Sequence, residues 1–110
     1  MRKLLIYTAS GAALFFGTQT LKAAQDKSPA EKGKDVFEAC AGCHNADSTE
    51  KKMGPGLKGL FARDKLANGK KITDESVTEQ INEGGNGMPG YKDILSDDER
   101  KNLLAYLKTL

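Results

Sequence analysis

Cys40-Ala41-Gly42-Cys43-His44 packs both cysteines and the only histidine of the chain into five consecutive residues. The pattern C-x-x-C-H is the attachment sequence for c-type haem. Its spacing accounts for the chemistry. On a helical turn, side chains three apart lie on one side, so both thiols reach the two vinyl groups of one porphyrin and form thioethers. The imidazole that follows can swing under the ring and bind iron through one nitrogen as the proximal ligand. Three other readings compete. A thioredoxin-like dithiol expects a βαβ surround, and the chain has no convincing strand pattern. A disulfide between Cys40 and Cys43 closes so short a loop that it restrains little chain. Zinc requires about four ligands, and beyond these three residues only carboxylates are on offer.

Outward from this stretch, the first two dozen of the 110 residues read as something other than fold. Met1-Arg2-Lys3 is a positive n-region and Leu4 to Phe16 an apolar h-region, too short for a comfortable membrane span. Residues 1–24 are therefore expected to be a secretory signal cleaved near Ala23 or Ala24, with an uncleaved N-terminal tether as the other reading. Residues 25–110 form the expected domain. The formal charge of +2 includes Arg2, Lys3 and Lys22, and without those three cations the domain stands at −1. The slight basicity of the whole chain is thus no sign of nucleic-acid binding. Only Phe37, Phe61, Tyr91 and Tyr106 supply aromatic rings to this domain. A domain of this size buries only about 60% of its unfolded surface, so a covalently held porphyrin would be a large part of its core, and the haem-free chain is expected to be mostly disordered.

Within the domain the periodicity is helical. Ser28-Pro29-Ala30-Glu31 is a helix start, with Ser28 as N-cap, Pro29 in the first position and Glu31 closing a capping box. That helix is expected to run toward Cys40 with Val36 and Phe37 on one face. Gly33 costs about 1 kcal/mol relative to alanine there, so either another helix approaches closely or the glycine is tolerated on the surface. The Gly54-Pro55-Gly56 run cannot be helix interior, and residues 53–63 read as an irregular loop. Asn68-Gly69 is a turn signal. Thr73 caps a short helix with Val77 and Ile81 on its buried side, ended by Gly84-Gly85. The loop 84–91 carries Met88 among glycines, and a second capping box, Ser96 to Glu99, opens a last helix that is expected to continue to Leu110 with Leu103, Tyr106 and Leu107 on its apolar stripe.

Cys40 to His44, then Gly54-Pro55-Gly56-Leu57, then Gly59-Leu60-Phe61-Ala62-Arg63, resemble the class I cytochromes c. The resemblance spans nearly all of residues 25–110. It implies an all-α small cytochrome c fold, three to four helices with loops around one covalently bound haem c. It further implies that the Pro55 carbonyl accepts a hydrogen bond from the back nitrogen of His44, that Leu57 packs on the porphyrin face and that Arg63 lies near a propionate. The sixth iron ligand of that family is a methionine on a loop ahead of the last helix, often followed by proline, and Met88-Pro89 fits. A gap-filling core methionine is the plainer reading of Met88. Met53 is the other candidate, but it adjoins the Pro55 loop on the histidine side. The terminal helices of the family cross, which implies contact between Gly33 and the Tyr106–Leu107 region.

Ligation by His44 and Met88 leaves no site for substrate, so the expectation is a monohaem one-electron carrier rather than an enzyme. Its partners would be redox protein donors and acceptors, with transient contact to membrane-bound redox complexes, and neither nucleic acid nor a small-molecule substrate. Haem attachment outside the cytoplasmic membrane in that family agrees with the leader and implies a soluble, monomeric periplasmic protein. Lys51, Lys52, Lys58, Lys65, Lys70 and Lys71 could form a docking surface or be simply solvated. Rival readings are a ligand sensor or peroxidase-like protein with displaceable Met88, and a haem subunit fixed to one respiratory complex.

Overall fold

The computed structural model describes Gly11 and residues 27–110, so the leader and its cleavage zone lie outside the described residues. Among the described residues there are three α-helices, α1 (Pro29–Phe37), α2 (Asp74–Glu83) and α3 (Asp97–Leu107), with one 3₁₀ turn at Leu60–Ala62. No strand is present among the described residues, only isolated bridges joining Lys65 to Lys71 and Gly85 to Met88.

Each helix starts where its sequence offers a reciprocal cap. Ser28 and Glu31, Thr73 and Ser76, and Ser96 and Glu99 each exchange side-chain and backbone hydrogen bonds. A cap of this kind satisfies two amide groups that the first helical turn leaves unpaired. Helix ends depart from expectation. α1 stops at Phe37 instead of reaching Cys40, because the amides of Glu38, Ala39 and Cys40 bond to carbonyls three residues back, at 2.7–3.3 Å. Such bonds tighten the chain into turns that α-helical pairing cannot follow. α3 stops at Leu107 for the same reason, with Thr109 and Leu110 bonded back to Tyr106 and Leu107.

The core sits where α1 crosses α3. Phe37, Leu60, Val77, Ile81, Leu103 and Leu107 are its buried apolar residues, with Leu103 only 1% exposed. Phe37 and Tyr106 stack at a tilt, their ring centroids 5.3 Å apart, a pairing that adds about 0.5–1.5 kcal/mol beyond burial. The crossing is close because Gly33 has no side chain. A Cβ there would run into the Asn102 carbonyl and come within 2.7 Å of the Tyr106 Cβ. Lys108 then ties α3 to α2 through Asp74 at 2.9 Å while lying over the Phe61 ring.

Two predictions follow from these contacts. Alanine at position 33 gains about 1 kcal/mol of helix propensity, but its methyl meets main chain that cannot move aside, and overpacking costs about 1–3 kcal/mol. Gly33→Ala is therefore expected to lower the Tm of the holoprotein by several degrees in a thermal melt, and a higher Tm would show that the helices separate freely. At the other cap, the Ser96 amide and then its hydroxyl hold the Glu99 carboxyl below its ordinary value of 4.5, with Arg100 assisting. A lowered folded-state value means stability present above pH 4.5 and lost as pH falls through the folded value. Glu99→Gln should accordingly show a shallower loss of Tm below that pH than the wild type, and parallel acid limbs would count against the cap.

Candidate metal centre

Beyond α1 the chain folds into a tight turn in which the amides of Cys43 and His44 both bond to the Cys40 carbonyl, at 3.1 and 3.0 Å. The turn brings both free thiols and the imidazole into one half-buried group. Burial, and then the neighbouring Cys43, raises the Cys40 thiol above its ordinary value, so it is neutral rather than thiolate at physiological pH. Among the described residues no three His, Cys, Asp or Glu side chains are grouped to hold a bare metal ion.

His44 is oriented from behind. Its Nδ1 lies 2.7 Å from the Pro55 carbonyl, and since a carbonyl only accepts, Nδ1 carries the proton and Nε2 keeps its lone pair. The loop reaches this position because the Gly54 amide donates to the Cys43 carbonyl at 2.8 Å and the Leu57 amide to the Asn45 carbonyl at 2.7 Å. Gly54 lies flat against the imidazole, where a Cβ would come within 2.8 Å of Nδ1. Leu57 is half-buried against the core. The Arg63 guanidinium, half-buried, donates through Nη2 to the carbonyls of Gly56 and Lys58 at 2.8 and 2.7 Å. Arg63 thus braces the loop that holds His44.

Met88 is presented by a reversed turn. Residues 84–87 all have positive φ, Asn86 among them at 52°, and the Gly85 and Met88 main chains exchange hydrogen bonds of 2.9 and 3.0 Å. Asn-Gly is the pair that best tolerates this conformation. Met88 packs half-buried against the core, and its sulfur accepts from the Gln80 amide at 3.7 Å. Gln80 also donates to the Gly84 carbonyl at 3.2 Å. The loop is returned to the attachment turn by Tyr91, whose amide bonds to Ile81 and whose hydroxyl reaches the Ala39 carbonyl at 3.4 Å. Burial, with Cys40 and Cys43 nearby, raises the Tyr91 phenol. Gln80 and Tyr91 escaped the reading of the sequence. Gln80 could have been found from its place one turn before Gly84 on α2, whereas Tyr91 carries no local signal.

A family model described as Cytochrome c matches residues 30–110. The chain belongs to the cytochrome c family. Similar proteins include cytochrome c6 of Picosynechococcus sp., 32% identical over 97% of this chain and 92% of its own. Cytochrome c-553 of Nitratidesulfovibrio vulgaris is 29% identical across the whole of both chains. Cytochrome c6 of Bryopsis maxima is 37% identical over 70% of this chain and 86% of its own. Family membership makes this a class I monohaem c-type cytochrome, an electron-transfer protein with one covalent haem c.

The residues present fit that group. Two free thiols sit three apart beside an imidazole with one nitrogen engaged, and a thioether faces the same apolar core as Cys40. Around the six buried residues lie thirteen half-buried apolar ones, Leu57, Phe61 and Leu104 among them, a lining suited to a flat apolar ring.

Proposed function

We propose that this cytochrome is an exported one-electron carrier whose haem iron is held by His44 and Met88, with Cys40 and Cys43 making the thioether links. The observation that carries the reading is the 2.7 Å contact between His44 Nδ1 and the Pro55 carbonyl, which leaves Nε2 as the only ring nitrogen able to bind iron. Haem c supplies the one-electron couple. The residues of the chain hold and tune it. His44 is kept in one tautomer by Pro55, and Gly54 leaves room for the ring to lie flat. Met88 would supply the other protein ligand and so keep out oxygen, peroxide and other ligands. Leu57 would pack on the ring, and Arg63, fixed on the Gly56 and Lys58 carbonyls, would have its remaining N–H groups free for a propionate. A methionine opposite a histidine favours ferrous iron and raises the potential.

Export is supported by the charged, apolar leader of residues 1–24 and by the attachment motif itself. No helix among the described residues is long and apolar enough to cross a membrane. The reading is of a soluble, monomeric periplasmic shuttle between redox proteins, some of them membrane-bound.

Met88→Ala should keep covalent haem, lower the midpoint potential and admit azide to the ferric protein, all readable by spectroelectrochemistry and ligand titration. Azide binding by the wild type as tight as by the variant would favour the sensor or peroxidase-like reading instead. Gln80→Leu removes the N–H that draws electron density from the Met88 sulfur. A hydrogen bond is worth about 1 kcal/mol, equivalent to about 40 mV for one electron, so a downward shift of that order is expected. An unchanged potential would show that the Gln80 amide does not act on the ligand.

A further inference from the structure

We infer that Asn68, in a turn that the electron-carrier role leaves without a task, is a positioning residue for the iron ligand: it holds the Gln80 amide so that its N–H meets the Met88 sulfur, and thereby sets part of the potential of the site. The inference rests on the reading of Met88 as ligand above and names what controls that ligand from the surface.

The sense of each amide in this chain of bonds is fixed from its two ends. At the outer end the Lys70 main-chain N–H donates to Asn68 Oδ1 at 2.9 Å. A main-chain N–H can only donate, so Asn68 turns Nδ2 the other way. That Nδ2 donates to Gln80 Oε1 at 3.1 Å. With its oxygen so occupied, Gln80 presents Nε2 to the Gly84 carbonyl at 3.2 Å and to the Met88 sulfur at 3.7 Å. A primary amide nitrogen carries two hydrogens, one for each acceptor. Lys70, Asn68, Gln80 and Met88 thus form a line of donors pointing inward, and each bond in such a line polarises the next. The Gly84 carbonyl alone would favour the same end of Gln80, but a hold on both ends is what keeps the amide from rotating away from the sulfur. A thioether is the weakest acceptor in the line, so it is the first to lose its bond when the amide is released. Asn68, Gln80 and Gly84 line one cavity open to solvent, and without Asn68 water would compete for Gln80 there.

The turn is built to present Asn68 rather than to dock by charge. Its main chain closes on itself, the Leu66 amide bonding to the Lys70 carbonyl at 2.8 Å and the Gly69 amide to the Leu66 carbonyl at 2.9 Å, with Gly69 at φ 83°. Glycine permits that left-handed step, which brings the Lys70 amide back to the Asn68 side chain two residues earlier, as in an Asx turn. The turn also meets α2 through the exposed Lys70–Glu79 pair at 3.0 Å. A pair of that kind contributes about 0.2–1 kcal/mol, and neither of its side chains bonds to Gln80 or Met88 among the described residues. The contact that reaches the ligand is the one from Asn68.

The test uses the holoprotein. Asn68→Ala should lower the midpoint potential by less than Gln80→Leu does, and the double variant should fall no further than Gln80→Leu alone, since both substitutions break one chain of bonds. Asn68→Asp keeps the acceptor for the Lys70 amide but sets a carboxylate against Gln80 Oε1. It should therefore lower the potential more in the presence of Gln80 than in the Gln80→Leu background, where only the added charge acts. In the ¹⁵N-labelled ferrous protein the Gln80 Nε2 protons should show a nuclear Overhauser effect to the Met88 methyl, and Asn68→Asp should abolish it. A wild-type potential in Asn68→Ala, a fall of equal size with and without Gln80, or an Overhauser effect that survives Asn68→Asp would each overturn the inference and reduce Asn68 to a turn residue. Where Met88→Ala still lowers the potential, those outcomes remove Asn68 from the site and leave Met88 as the ligand.

Discussion

The turn from Phe37 to His44 points carbonyl oxygens toward two other parts of the chain. Ala39 accepts from the Tyr91 hydroxyl, while Ala41 and Cys43 accept from Lys52 Nζ and the Gly54 amide of a single loop. The Cys40 carbonyl accepts from the amides three and four residues on, those of Cys43 and His44. Carbonyls in a helix interior would be spent on their own helix. Ending α1 at Phe37 is what frees them, so the departure from helical geometry and the assembly of the site are one event. The two loops that carry Pro55 and Met88 are thereby referred to the same turn, the one that carries both thiols and the imidazole.

A second constraint operates at the middle of α1. Gly33 lets the α1 and α3 main chains approach until a methyl group would collide with the Asn102 carbonyl, and Phe37 then meets Tyr106 one turn later. With only six buried apolar residues, the domain has little core of its own, and close backbone contact concentrates what it has around Leu103. α2 is attached more lightly, through Val77 and Ile81 and the exposed Lys108–Asp74 pair. Exposed pairs of that kind contribute about 0.2–1 kcal/mol. The ring of a covalently held haem would therefore be a substantial share of what keeps α2 and the Met88 loop in place, which ties the stability of the protein to its cofactor.

Met88 and the loop around Pro55 are held by groups that no motif announces. Gln80 donates to the Met88 sulfur from α2, and Arg63 holds the carbonyls of Gly56 and Lys58. Both act through part-buried hydrogen bonds, those of Arg63 from a charged guanidinium, and no buried polar or charged residue is found among the described ones.

The sequence by itself determined the attachment motif and the three helix starts. Each depends on residues within a few positions of one another, and capping boxes, turn glycines and the C-x-x-C-H spacing act locally. The pairing of Pro55 with His44 was legible only through resemblance to a family, since eleven positions separate them and nothing in either residue specifies the other. Tertiary structure alone decided that α1 ends at Phe37, that Tyr91 reaches Ala39 across fifty-two positions and that Gln80 addresses Met88. Those choices follow from where the remaining hydrogen-bond donors and acceptors find partners after the helices have packed, and a donor such as the Tyr91 hydroxyl carries no local mark of its acceptor.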